Sequence, residues 1–248
     1  MSFLGKIYYR IKRKVQLYLK INWIKSLYLN LKFFPLKDAF KFPIIVFGSL
    51  KIESLKGKLI VNVPLKTGII SIGNPFEIFK KSSNISELIF DGMWVVNGSI
   101  IFGIDTKLYI GKEAYFENGH LCSVCNNSKI FCDNKIIMGD SVKIGDESIV
   151  FDTNFHDLFD VKKNETIPCK GEVYFESYIY IGMRCTIKLG TYLPSYSMVA
   201  TNSLCNKNYS AYGNNILLGG IPANFIRGDI KRNWSAEENL ENYLTIKL

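Results

Sequence analysis

The hydrophobic positions of this chain follow two different periods. Near the start, Phe3, Leu4, Ile7, Tyr8, Ile11, Val15, Tyr18 and Leu19 recur at intervals of three and four, with basic residues between them. That spacing predicts an amphipathic helix. A second helical piece is expected over "WIKSLYLNLKFF", ending at Pro35. From about Leu59 the helical period disappears and a step of six takes over. Phe90, Val96, Phe102, Leu108, Ala114, His120, Asn126, Cys132, Met138, Ile144 and Val150 fall on that step and are mostly apolar. The lapse between Thr106 and Asn126 reads as a local shift of frame, since Ile110, Ala114 and Phe116 fit a neighbouring register.

A cleaner run follows. Ile181, Ile187, Leu193 and Val199 are six apart, and a small side chain comes four residues after each: Cys185, Thr191, Ser197 and Ser203. The two runs are out of phase, so an insertion lies between them, near residues 152–178, and it contains "DTNFH". A six-residue period fits neither a helix nor long alternating strands. It fits a solenoid whose coil is a triangle of short strands, with one large aliphatic per side pointing inward and a small residue near each corner.

"IGDESI", "YIGMRCTIKLGTYLPSYSMVATNSL" and "GGIPANFI" resemble the hexapeptide-repeat acyltransferases. The resemblance implies a mainly β fold, a left-handed parallel β-helix, with N-terminal amphipathic helices and a short C-terminal helix. The domain reading is a basic helical segment over residues 1–37, a connecting segment over 38–58, the β-helix over 59–228, and a C-terminal helix over 229–248. In that last segment Ser235 and Glu238 are spaced as a capping box.

The same resemblance assigns chemistry. "DTNFH" is similar to the signature of sugar O-acetyltransferases, in which the histidine is the general base; here that residue is His156. Imidazole can take a proton from a hydroxyl and return it to a leaving group near neutral pH. Asp152 and Asn154 would orient the imidazole or hydrogen-bond an acceptor sugar, or else cap the turn with their side-chain oxygens. The Met183 N–H would polarise the thioester carbonyl of acetyl-CoA, and Gly182 would let the thioester approach. Ala200 and Thr201 would line the pantetheine arm, Lys207 and Arg227 would meet phosphates, and Gly220, Pro222 and Ala223 match a Gly-x-Pro-Ala-Lys element. Asn224 stands where the family usually has lysine, which casts doubt on a phosphate contact there. The implied activity is acetyl transfer to a sugar hydroxyl in surface-polysaccharide biosynthesis, by a homotrimer. N-acylation of an amino sugar, or a membrane-associated solenoid without chemistry, are the alternatives. A zinc lyase built on the same solenoid needs three histidines, and this chain has two.

Charge and cysteine content sharpen this picture. The net charge is +9, and residues 1–37 hold nine basic residues and no acid, so the whole excess sits there. An anionic membrane surface or a phosphate-bearing substrate suits such a segment at least as well as nucleic acid does, and no nucleic-acid partner is expected. The start of the chain carries charges where a signal peptide needs an apolar core, and the longest apolar run is too short to span a bilayer. A cytoplasmic location, peripheral at the inner face of a membrane, is the expectation. The six cysteines are expected as reduced thiols. "HLCSVCNNSKIFC" has metal-like spacing, but His120 and Cys132 fall on the interior step, so no metal is expected.

Overall fold

The computed structural model describes residues 15, 17–75 and 85–235. Short strands wind around three faces. The first face stacks Ile44–Val46, Ile70–Ile72, Ile100–Phe102, Cys122–Val124, Lys143–Ile144, Tyr180–Ile181, Met198–Val199 and Leu217–Gly220 in parallel. Ala223–Arg227 then turns back antiparallel and closes it. The second face runs from Leu50–Leu55 to Leu204–Cys205, and the third from Lys58–Val61 to Tyr192–Leu193. Each coil supplies one strand to each face in turn. The fold is therefore a mainly β, three-faced parallel β-helix, in keeping with the expected left-handed class.

The upper coils follow the six-residue rule. Ile181, Ile187, Leu193 and Val199 are buried, and Cys185, Thr191, Ser197 and Ser203 are buried near the corners. Ile144, Ile181 and Val199 stack on one another along the first face. Burying each such aliphatic contributes roughly 1.5–3 kcal/mol relative to exposure, so like-on-like stacking holds neighbouring coils together.

The lower coils are longer. Leu108 pairs with Ile130 and Ile130 with Val150, which is four and two residues more than three six-residue steps. The added length accommodates a wider interior filled by Phe90, Trp94, Phe102 and Phe116, whose rings pack 5.7–6.0 Å apart around Trp94. Ile110, Ala114 and Phe116 are buried in this stretch, as are Leu108, Cys122 and Val124. His120 is not interior. It sits half-buried at a corner, because the longer coil displaces it from the step of six.

Residues 38–58 are also more than a connection, since Ile44–Val46 and Leu50–Leu55 already pair with Ile70–Ile72 and Ser86–Phe90. A register shift between Ile52 and Ser54 breaks the alternation there, which hides the first coil from a search by period.

Helix α1 (Trp23–Phe33) and the short α2 (Leu36–Ala39) close the lower end. Asn22 caps α1 by accepting the Lys25 N–H at 3.0 Å. Leu29 enters the core, and the Phe33 ring lies 5.3 Å from that of Phe90. The first amphipathic stretch, up to residue 14, and the C-terminal helix beyond Ser235 lie outside the described residues.

Candidate active site

The chain leaves the solenoid between Phe151 on the second face and Glu172 on the third. It makes a hairpin of Leu158–Asp160 against Glu165–Ile167 before returning. The root of this excursion is fixed by hydrogen bonds. Asp152 is fully buried, and its carboxylate accepts the Asp133 N–H at 2.8 Å and the Asn134 N–H at 2.9 Å from the corner of the coil below. Burial raises its carboxyl above the ordinary carboxylate range, against the opposing pull of those two amides. Each oxygen thus accepts an amide of the turn below, as in the capping alternative. The Asp152 carbonyl accepts the Gly171 N–H at 2.8 Å, and the Cys169 carbonyl accepts the Asn154 N–H at 2.7 Å.

This framework presents His156. Thr153, buried, accepts the Phe155 N–H on its hydroxyl at 2.9 Å. Phe155 takes a φ of 65°, an uncommon conformation for a bulky residue, and its ring packs 4.9 Å from Phe131 and 6.5 Å from Phe151. Phe131 stacks in turn on Tyr109 at 4.1 Å. His156 follows Phe155 in the chain and is exposed. Asp157 does not serve the imidazole through its Oδ1, which accepts the Cys169 N–H at 2.7 Å. Thr153, Asp157 and the aromatic strip went unassigned in the sequence. The outward second-face column could have revealed the strip, since Tyr109, Phe131 and Phe151 occupy one register position.

Met183 and Gly182 lie at the other end of the second face, on the corner reached from Tyr180–Ile181. Here Gly103, Cys125, Gly145, Gly182, Ala200 and Gly219 follow the successive first-face strands. Their small size is required: a Cβ on Gly145 would lie 2.7 Å from the Gly182 carbonyl carbon and 2.9 Å from Met183 N, and one on Gly182 would lie 2.7 Å from Thr201 N. One residue further on, side chains cap amides from coil to coil. Asn126 Oδ1 accepts the Ile104 N–H at 2.8 Å, and Asp146 Oδ1 accepts the Asn126 N–H at 2.7 Å. Met183 continues this column without a side-chain oxygen, and among the described residues nothing accepts its own N–H. Met183 as a residue is 39% exposed.

Ala200 and the exposed Thr201 stand on the coil above Gly182. Gly220, at a φ of 105°, begins the turn to Ala223–Arg227, and its N–H donates to Ser203 Oγ at 3.1 Å. Pro222 and Arg227 are exposed. Ala223 is not available to a ligand: it is fully buried, and its carbonyl accepts the Tyr209 hydroxyl at 3.2 Å. Lys207 Nζ donates to Asn224 Oδ1 at 3.0 Å, so the residue that departs from the family pattern holds the lysine meant for phosphate.

Cys122 and Cys132 are buried, with their thiols directed at the carbonyls of Gly139 (3.2 Å) and Tyr115 (3.3 Å). Burial pushes the Cys122 thiol up to about 12. Among the described residues no group of three or more His, Cys, Asp or Glu side chains is placed to hold a metal ion.

No protein-family model matches the chain, and no curated protein does. Solved structures to which the chain is similar include the polySia-specific acetyltransferase NeuO, 16% identical, covering 79% of this chain and 96% of that one, with a TM-score of 0.39. The hexapeptide-repeat acetyltransferase VCA0836 from Vibrio cholerae O1 biovar eltor is 22% identical over 54% of this chain and 64% of its own, with a TM-score of 0.36. AntD, an N-acyltransferase from Bacillus cereus in complex with dTDP and 3-hydroxybutyryl-CoA, is 14% identical over 81% of this chain and 86% of its own, with a TM-score of 0.38. Likenesses this distant do not assign an activity.

Proposed function

We infer that the protein transfers an acetyl group from acetyl-CoA to a sugar hydroxyl. The observation that supports this reading is His156, exposed in the excursion that carries the "DTNFH" signature, one coil below the Met183 N–H that no group among the described residues accepts. His156 takes the proton of the acceptor hydroxyl as its oxygen attacks the thioester carbon. The C–O bond forms, the carbonyl oxygen gains negative charge against the Met183 N–H, the C–S bond breaks, and the imidazolium returns the proton to the thiolate. One oxyanion donor is worth roughly 3 kcal/mol of barrier, and the remaining rate comes from holding two substrates in line.

His156 and Met183 belong to different corners of one solenoid: the excursion leaves at the corner between the second and third faces, and Met183 stands between the first and second. A homotrimer resolves this separation. In a closed three-fold ring the excursion of one copy faces the Met183 corner of the next, and the donor lies in the crevice between them, with Gly182, Ala200 and Thr201 along the pantetheine arm and Arg227 toward the phosphates. Asn154 stays as the polar contact for the acceptor.

The test is thiol release from acetyl-CoA with a panel of sugars. His156→Ala should abolish acceptor-dependent release while leaving the thermal midpoint unchanged. Mixed assemblies of His156→Ala and a variant disabled at the Met183 corner should regain part of the activity, because some crevices then receive both intact halves. Release that survives His156→Ala overturns the assignment, and failure of the mixture to recover activity overturns the shared crevice.

A further inference from the structure

We propose that the outward face of α1, continued by the exposed residues around α2, is a landing surface for an anionic lipid bilayer. The inward face of the helix is mixed. Leu29 enters the core, and beside it Ser26 Oγ accepts the Val46 N–H at 2.9 Å, Asn30 Oδ1 accepts the Ile44 N–H at 3.0 Å, and Asn30 Nδ2 donates to the Ile44 carbonyl at 2.7 Å. These bonds close the free edge of the first strand, which would otherwise expose unpaired backbone groups. Capping the edge draws polar side chains inward and leaves a row of large apolar ones in solvent.

That outer side carries Ile24, Tyr28 and Leu31 at helical spacing, with Ile24 83% exposed, and Leu36 (66%) and Phe40 extend it. Exposed Lys20, Lys32 and Lys37 flank it. There is no acid before Asp38, whose carboxylate is paired with Lys41 at 2.7 Å. An apolar face rimmed only by cations suits the interface of an anionic bilayer, where aliphatic side chains enter the acyl boundary and lysines meet headgroup charge. A second copy of this chain would set cations against cations, and a nucleic acid would leave the aliphatic residues unpartnered.

The surface lies on membranes rather than crossing them, since among the described residues no helix is long and apolar enough to span. α1 covers the end of the coil stack, so docking stands the solenoid on the bilayer. Met183 lies next to the sixth strand of the first face, five spacings of ~4.8 Å from the first, so with the roughly 10 Å thickness of α1 beneath that strand it would stand about 34 Å above the lipid. If the acyl-transfer reading holds, acceptors tethered to the membrane at that reach are favoured over free sugars.

Flotation of the full chain with vesicles of phosphatidylcholine, alone or with phosphatidylglycerol, tests the surface independently of catalysis. Binding is expected only to the anionic vesicles and should weaken as salt rises. The double variant Ile24→Glu/Leu36→Glu should bind about tenfold more weakly, with an unchanged thermal midpoint and unchanged oligomeric state. The proposal is overturned if the wild-type chain does not float, if the double variant floats as well as wild type, or if the double variant instead dissociates an oligomer, which would make the occupant a second copy. Thiol release with soluble sugars should be the same in both proteins, so loss of activity and loss of docking are separately visible.

Discussion

The carboxylate of Asp152 accepts the amide of Asp133 at 2.8 Å across a coil boundary, and its second oxygen takes the next amide, that of Asn134. This one side chain joins the root of the His156 excursion to the coil beneath it. Asp152→Ala leaves two amides at a buried corner without acceptors and is expected to cost about 2–4 kcal/mol of stability. Chemical denaturation measures this directly. The variant should also fail to act as an acceptor-binding mutant: once allowance is made for unfolded protein, the KM for sugar stays at the wild-type value. A raised KM would return Asp152 to the acceptor site.

Gly145 offers a handle on the proposed oxyanion donor that leaves Met183 itself untouched. A methyl group at Gly145 would press on the Gly182 carbonyl and on Met183 N, 2.9 Å away. The neighbours are backbone atoms, so the corner must shift. Gly145→Ala is therefore expected to lower kcat by about a hundredfold, the scale of losing one oxyanion donor. Full activity in a folded Gly145→Ala protein would remove the Met183 N–H from the mechanism.

Phe155 holds an unfavourable φ of 65° while its ring stays largely exposed over Phe131 and Phe151. The strain and the exposure together suggest a ring kept as a platform next to the proposed base, His156. The apolar C–H face of a pyranose matches the negative face of such a ring. Phe155→Ala should raise the KM for the acceptor about tenfold with the KM for acetyl-CoA unchanged, and Phe155→Tyr should restore it. Equal changes in both KM values would point to a collapsed loop instead.

How much of this was legible in the sequence differs from coil to coil. The run Ile181, Ile187, Leu193 and Val199 showed both the faces and the corners, because those coils are three six-residue steps long and every buried position repeats. Below Ile144 the coils lengthen to fit the rings around Trp94, and a fixed step slides off the interior, carrying His120 with it. The excursion announced itself as a phase break. Its internal bonding did not, since whether Asp152 faces a ligand or two amides depends on a corner nineteen residues earlier in the chain. Nor could hydrophobic spacing tell which side of α1 faces inward, because Ser26 and Asn30 are drawn in by the strand edge rather than by burial of apolar area.

Asp105 is the clearest source of pH-dependent stability. It is buried, neither carboxylate oxygen has a hydrogen-bond partner among the described residues, and burial raises its carboxyl above the ordinary value despite the opposing charge of Lys107. A carboxyl that binds its proton more tightly when folded contributes fully to stability below its unfolded value, near 3.9. That contribution is lost as pH rises through the raised folded value. Asp105→Asn removes the charge and keeps the shape, so it should gain about 1 kcal/mol over wild type at pH 7, in line with a relieved buried charge. The gain should shrink as pH falls through the raised folded value and vanish only below the unfolded one, where both side chains are neutral. Urea unfolding across this pH range decides it: no gain at pH 7 would mean that the ionised carboxylate is stabilised where it stands.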